Sequence, residues 1–200
     1  MLRNVVGFVG PVLLWLVASP VNAAEARPPD AFVRNEIGAL GDLLTGGAPD
    51  RFDVLRDRIR AIADFEGFAR RSLGKTWETL SPRDRRRFKE TLQRLLESHY
   101  LSKPSSIFDP RKVSVQEGKV TGDQAEVPLT VKRKDADVAV VVKLHRDRTG
   151  WIAEDVAIDG LSLLEDYRAQ FRSFLKKRSV AQLIDRLDAR AKARGGPDRE

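Results

Sequence analysis

The chain has 200 residues, 42% of them hydrophobic and 32% charged, with a formal net charge of +7 at neutral pH. This length suits one domain with its own apolar core and leaves little room for two. Cysteine is absent, which excludes disulfides and thiol chemistry, so the fold must be held by packing alone.

Residues 1–23 read as a secretory signal peptide: Arg3 gives a positive start, Val5 to Val17 an apolar stretch, and Val21-Asn22-Ala23 a small-x-small cleavage site. The competing reading is a membrane anchor, but the apolar stretch contains Gly7, Gly10 and Pro11 and falls short of the ~20 residues a spanning helix needs. The expected organisation is a signal over 1–23, one domain over 24–193 and a loose tail over 194–200. Export places the mature domain outside the cytoplasm.

Pro28-Pro29-Asp30 introduces a first helix whose apolar side is Val33, Ile37, Leu40 and Leu44, with Gly46-Gly47 as its stop. A second helix after Asp50 carries Phe52, Leu55, Ile59 and Ile62. Asp64 caps a third, with Phe65, Phe68, Ala69 and Leu73 before Gly74, and Trp77 follows on a short helical turn. Ser81-Pro82-Arg83-Asp84 is a helix start, with Ser81 as cap and Pro82 at the first helical position. The helix it opens shows Phe88, Leu92, Leu95, Leu96 and Tyr100 on one face, and Pro104 marks its end.

Beyond Asp109-Pro110 the apolar period falls to two. Val113 and Val115 alternate, then Ala125, Val127, Leu129 and Val131, then Val138, Val140, Val142 and Leu144. With Trp151 to Ile158 this makes four consecutive strands, for which an antiparallel meander is the simplest topology. Ala139 and Val141 are apolar too, so the third strand is either covered on both faces or lines a space. Asp159-Gly160 then punctuates the chain and the period becomes helical, with Leu164, Tyr167, Phe171 and Phe174 or Leu175 on one side. Ser162 and Glu165 stand at capping-box spacing. A last helix starts at Ser179, with Gln182 in box position and Leu183, Ile184 and Leu187 on its apolar side.

Little points to catalysis. His99 and His145 are the only histidines and neither has metal-ligand spacing; no serine elbow or phosphate loop is present. Glu154, Asp155 and Asp159 cluster at the strand-to-helix junction, either as caps and turn acceptors or as acid/base groups. The basic runs Arg83 to Arg87 and Lys132 to Lys134 are either solvated faces or attractors of an anionic membrane or an acidic partner; export argues against nucleic acid. The expectation is a binding protein, not an enzyme, with no cofactor or metal. Its helices and sheet enclose either a dry cavity or a filled core.

The pattern Asp64-Phe65, Phe68-Ala69-Arg70, Leu73-Gly74, Trp77, Leu80-Ser81-Pro82, Arg86, Phe88, Leu92, Leu96 and Tyr100, followed by Trp151, Asp155-Val156, Asp159-Gly160-Leu161-Ser162, Tyr167-Arg168 and Phe171, resembles the MlaC family. These are the toluene-tolerance proteins, periplasmic phospholipid carriers of an ABC transport system. The resemblance runs from about Ala31 to Leu187. It implies an α+β fold of about six to seven helices on one four-stranded antiparallel sheet, enclosing an apolar lipid cavity. It implies a monomer that carries glycerophospholipid by its acyl chains between an outer-membrane lipoprotein complex and an inner-membrane ABC transporter complex, maintaining outer-membrane lipid asymmetry. Pocket positions map onto Leu161 and the apolar faces around Tyr100 and Val156. The candidate lining is then Trp77, Phe88, Leu92, Leu96 and Tyr100, the strand residues Val127, Leu129, Val140 and Val156, and Leu161, Leu164, Tyr167 and Phe171. Another apolar ligand, a hopanoid or aromatic solvent, and a ligand-free envelope adaptor are the alternatives.

Overall fold

A computed structural model describes residues 27–45, 50–100 and 109–194. The expected signal peptide, the Gly46-Gly47 stop and Pro104 lie outside the described residues. The helices are α1 (Pro29–Thr45), α2 (Arg51–Ile62), α3 (Phe65–Leu73), α4 (Lys75–Glu78), α5 (Pro82–Tyr100), α6 (Leu163–Leu175) and α7 (Val180–Arg194). The strands are β1 (Val113–Val115), β2 (Lys119–Thr121), β3 (Gln124–Val131), β4 (Val138–Arg146), β5 (Trp151–Ile158) and β6 (Leu161–Ser162). The fold is α+β.

Local chemistry explains where the helices start. The Asp64 carboxylate accepts from the Gly67 N–H at 2.7 Å, satisfying one free amide of α3. Ser81 Oγ accepts from the Asp84 N–H at 3.1 Å and donates to the Asp84 carboxylate at 2.7 Å. At α7 the box is reciprocal: Gln182 N–H donates to Ser179 Oγ and Ser179 N–H to Gln182 Oε1.

The sheet is antiparallel in the order β1-β3-β4-β5-β6, with β2 also paired to β3. The four strands read from periodicity form its body in the expected meander, and two short ones add to it. β2 has three exposed residues and so no alternation to read. β6 belongs to a hairpin: Asp159 and Gly160 both have positive φ, 48° and 81°, and form a two-residue turn that returns the chain onto β5.

Register puts the apolar strand residues in cross-strand rows. Val127, Val142 and Val156 form one; Leu129, Val140, Ile158 and Leu161 form the next. One end of this face is covered by α1, where Val33 joins Ala125, Val127, Leu129, Leu144 and Trp151 in a buried cluster. A larger cluster forms among the helices, with Phe68, Trp77, Phe88, Leu92, Leu96, Phe171 and Leu187. The molecule therefore has two filled cores, one under α1 and one among α3 to α7.

The two bodies meet along the outer edge of β5. Asp64 N–H donates to the Ala153 carbonyl at 2.8 Å, and Ala63 and Ala153 form an isolated parallel bridge. Opposite, the register shifts between Lys143 and Leu144, which leaves Glu154 as the extra residue of a bulge. Helix α2 spans from one body to the other on two buried carboxylates. Arg58 reaches Glu36 of α1 at 2.7 and 3.0 Å, and Arg60 reaches Glu97 of α5 at 2.7 and 2.9 Å.

Candidate functional site

At this junction the packing leaves an apolar cavity of about 160 Å³. Ile59 of α2, Ala63 just past its end, Phe65 and Phe68 of α3, Leu96 of α5 and Leu163 of α6 form one wall; Ala153 and Val156 of β5 form the other. The bulge at Glu154 bends β5 here, and the Ala63–Ala153 bridge keeps small side chains where the two backbones meet.

Four carboxylates border this space, Asp64, Glu97, Glu154 and Asp155, and each has a partner. Asp64 caps α3 and faces Arg71 at 3.4 Å. Glu97 is 8% exposed and accepts both nitrogens of the Arg60 fork, with Gln93 as a third donor at 2.8 Å. The bond to Glu97 holds the Arg60 guanidinium above its ordinary pKa. Glu154 lies 3.4 Å from Arg71 and 3.5 Å from His145. Asp155, buried, accepts from the Ser162 hydroxyl at 2.6 Å and the Leu164 N–H at 2.9 Å, so it anchors the start of α6. The junction acids do capping and pairing work, and Asp159 caps the neighbouring strand by accepting from the Ala139 N–H.

Of the residues expected to line a lipid cavity, Leu96 and Val156 border this apolar space. Trp77, Phe88, Leu92 and Phe171 are buried in the helical core, with Leu164 and Tyr167 packed against it. A chain of ring contacts runs back from the cavity wall: Phe68 to Tyr167 at 6.1 Å and Phe171 to Phe88 at 5.6 Å, both edge-on, joined by the tilted pair Tyr167 and Phe171 at 5.5 Å. Val127, Leu129 and Val140 lie under α1 on the sheet face that continues from Val156. The side chain of Tyr100 lies outside the described residues.

Leu161 departs from expectation. Named among the pocket positions, it lies on the surface instead, 77% exposed. The cause is the Asp159-Gly160 hairpin, which pairs Leu161 with Ile158 and so continues the sheet instead of turning directly into the helix. Along its row exposure rises from 6% at Leu129 to 41% at Ile158 and 77% at Leu161.

Ile59, Ala63, Phe65, Phe68, Ala153 and Leu163 also line the cavity but were not among the expected residues. Ile59, Phe65 and Phe68 stand at apolar helical positions, where spacing marks a buried face without telling a cavity wall from a filled core. Ala63 and Ala153 carry no such signal, since their role comes from a bridge between distant segments. Among the described residues no group of three or more His, Cys, Asp or Glu is placed to hold a metal ion, and no helix is long and apolar enough to cross a membrane.

The fold is similar to that of the phospholipid-binding protein from Ralstonia solanacearum, whose structure was solved in complex with a phospholipid: TM-score 0.66, 25% sequence identity, 80% of this chain and 93% of that one covered. No curated protein sequence matches. The family model of the MlaC protein matches residues 42–189, a span that takes in every wall of the cavity. The chain belongs to the MlaC family.

Proposed function

We propose that this protein is a phospholipid carrier: exported by a cleaved signal over residues 1–23, it shuttles glycerophospholipids across the periplasm between outer and inner membranes as the soluble component of an Mla-like ABC transport system. The observation that carries this reading is the apolar cavity between Val156 of the sheet and Leu96, Phe68 and Ile59 of the helices, in a chain whose structural relative was solved with a phospholipid. Exposing two chains of ~16 carbons to water costs on the order of 25 kcal/mol at about 0.8 kcal/mol per CH₂, an upper bound. An escort must replace most of the bilayer's apolar surroundings and still release its cargo. Aliphatic and aromatic walls with every bordering carboxylate paired suit that task, because apolar burial holds the chains without a fixed charge among them.

The volume sets a condition. Pockets for drug-sized ligands, which are smaller than a phospholipid, already occupy roughly 300–1,000 Å³, against about 160 Å³ here. Acyl chains enter only if α2 and α3 part from β5 and extend the space along the row toward Ile158 and Leu161. Leu96, Val156 and Leu161 are then lipid contacts, and Trp77, Phe88, Leu92, Leu164, Tyr167 and Phe171 the layer behind them. Docking would be to an inner-membrane ABC transporter complex and an outer-membrane lipoprotein complex. The same volume supports a second reading, a small aromatic or other compact apolar ligand, since a dry void of about 150 Å³ holds one benzene.

Mass spectrometry of organic extracts from protein purified out of a Gram-negative periplasm separates the two. The carrier reading expects glycerophospholipid near one molecule per chain, and expects Val156→Phe, which fills the cavity from the strand side, to lower it several-fold while the protein still melts cooperatively. Extracts with no phospholipid from folded wild-type protein overturn it.

A further inference from the structure

Away from the cavity, the cleft between α6 and α7 has an apolar floor and a rim of one charge. Two adjoining hollows of about 310 and 440 Å³ share Ser173, Phe174 and Arg186. Phe171, Leu183 and Leu187, all buried, continue the floor. The rim is cationic from both sides: Lys177 and Arg178 follow α6, and Arg186 and Arg190 stand one turn apart on α7. Arg186 lies over the Phe174 ring at 5.3 Å.

The arrangement of α7 explains why, among the described residues, these cations have no carboxylate partner. Its carboxylates Asp185 and Asp188 face α5, where they take Arg87 at 2.7 Å and Arg94 at 3.2 Å. Arg186 and Arg190 are on the other side, and among the described residues no carboxylate lies within ion-pair distance of them, Lys177 or Arg178. Cations at the end of α6 also complement its helix dipole. That does not account for Arg186 and Arg190, which sit within α7 and face the same cleft.

We infer that the α6–α7 cleft is a docking site for an acidic peptide segment of a partner protein, one that lays carboxylates on the Lys177, Arg178, Arg186 and Arg190 rim and sets an apolar side chain against Phe174. The recess favours a peptide over a membrane: a plane of headgroups meets the rim but cannot reach a floor between two helices, whereas an extended chain fills it. The site shares no residue with the lipid cavity, so it stands or falls apart from the carrier reading.

The test is fluorescence anisotropy with a labelled heptapeptide of alternating Glu and Asp around a central Leu, using the full-length mature protein. Binding is expected to weaken at least about tenfold in Lys177→Glu/Arg186→Glu and to weaken as salt rises from about 50 to about 300 mM. Arg133→Glu/Lys134→Glu, which reverses as much charge on the distant β3–β4 loop, should stay within about twofold. Replacing the central Leu by Ser should weaken binding several-fold, because the floor loses its apolar partner. Thermal melting checks that each variant is folded, and Arg186→Gln/Arg190→Gln serves if reversal at Lys177 disturbs α6. No peptide binding, equal loss in the two reversal variants, or loss confined to phosphatidylglycerol vesicles would overturn the proposal, the last by assigning these cations to a membrane surface.

Discussion

Removing the Glu97 carboxylate would leave the Arg60 fork without its acceptor and a second guanidinium, Arg56 at 3.8 Å, beside it against an apolar wall. A fully buried pair broken in this way costs about 3–5 kcal/mol. The Arg60 side chain is 42% exposed and solvent screens part of the loss, so Glu97→Ala should cost about 1–3 kcal/mol, measured by urea denaturation. Leu161 sits at the opposite extreme. A carboxylate there stays in water, so Leu161→Glu should change stability by no more than about 0.5 kcal/mol. The same variant should carry less co-purifying phospholipid than wild type, because Leu161 ends the apolar row through which the cavity must extend. Wild-type lipid content in the folded variant would remove Leu161 from the site.

Helices α5 and α7 show how charge supports an apolar contact between elements. Phe88, Leu92, Ile184 and Leu187 make the interface, and Arg94–Asp188 closes its rim. Lys192 first, and then Arg94, hold the Asp188 carboxyl below its usual pKa. A lowered folded-state pKa means that the stabilisation is present above the ordinary carboxylate value and is lost as pH falls through the lowered one. Asp188→Asn should therefore melt below wild type at neutral pH, and the two melting curves should converge as the solution is acidified. The elements themselves were legible where a repeating signal exists: Phe88, Leu92 and Leu96 on one helical face, Val138, Val140, Val142 and Leu144 on one strand face, and Ser, Asp or Gln at the caps. β2 was not legible because three exposed residues carry no pattern, nor β6 because the capping signal at Ser162 masks a two-residue strand. The cavity was legible only in part. The apolar periods mark Leu96 and Val156 only as buried, and the family resemblance alone makes them candidate lining; Ala63 and Ala153 owe their position to a pairing across ninety residues of sequence, which no local period encodes.

At the scale of the molecule, the α2–α3 junction is the seam between a sheet body and a helical body, and the chain has no cysteine to complicate a crosslink across it. Ala63→Cys/Ala153→Cys places two thiols on directly bridged backbones, close enough for a disulfide. If loading requires the seam to part, the oxidised protein should exchange lipid with vesicles at least about tenfold more slowly than the reduced one, with reductant restoring the rate. Unchanged exchange in the oxidised form would show that lipid passes elsewhere. The seam also covers a strand edge. β5 is an apolar strand whose outer edge is capped by β6 at Ala157 and Ile158 and by the Ala63–Asp64 backbone at Ala153. Unpaired strand edges invite pairing with another chain, and the segments that close the cavity are the ones that cover this edge. If loading parts these segments from β5, the same motion bares the strand edge, and the protein should then be most prone to aggregate while its cavity stands open.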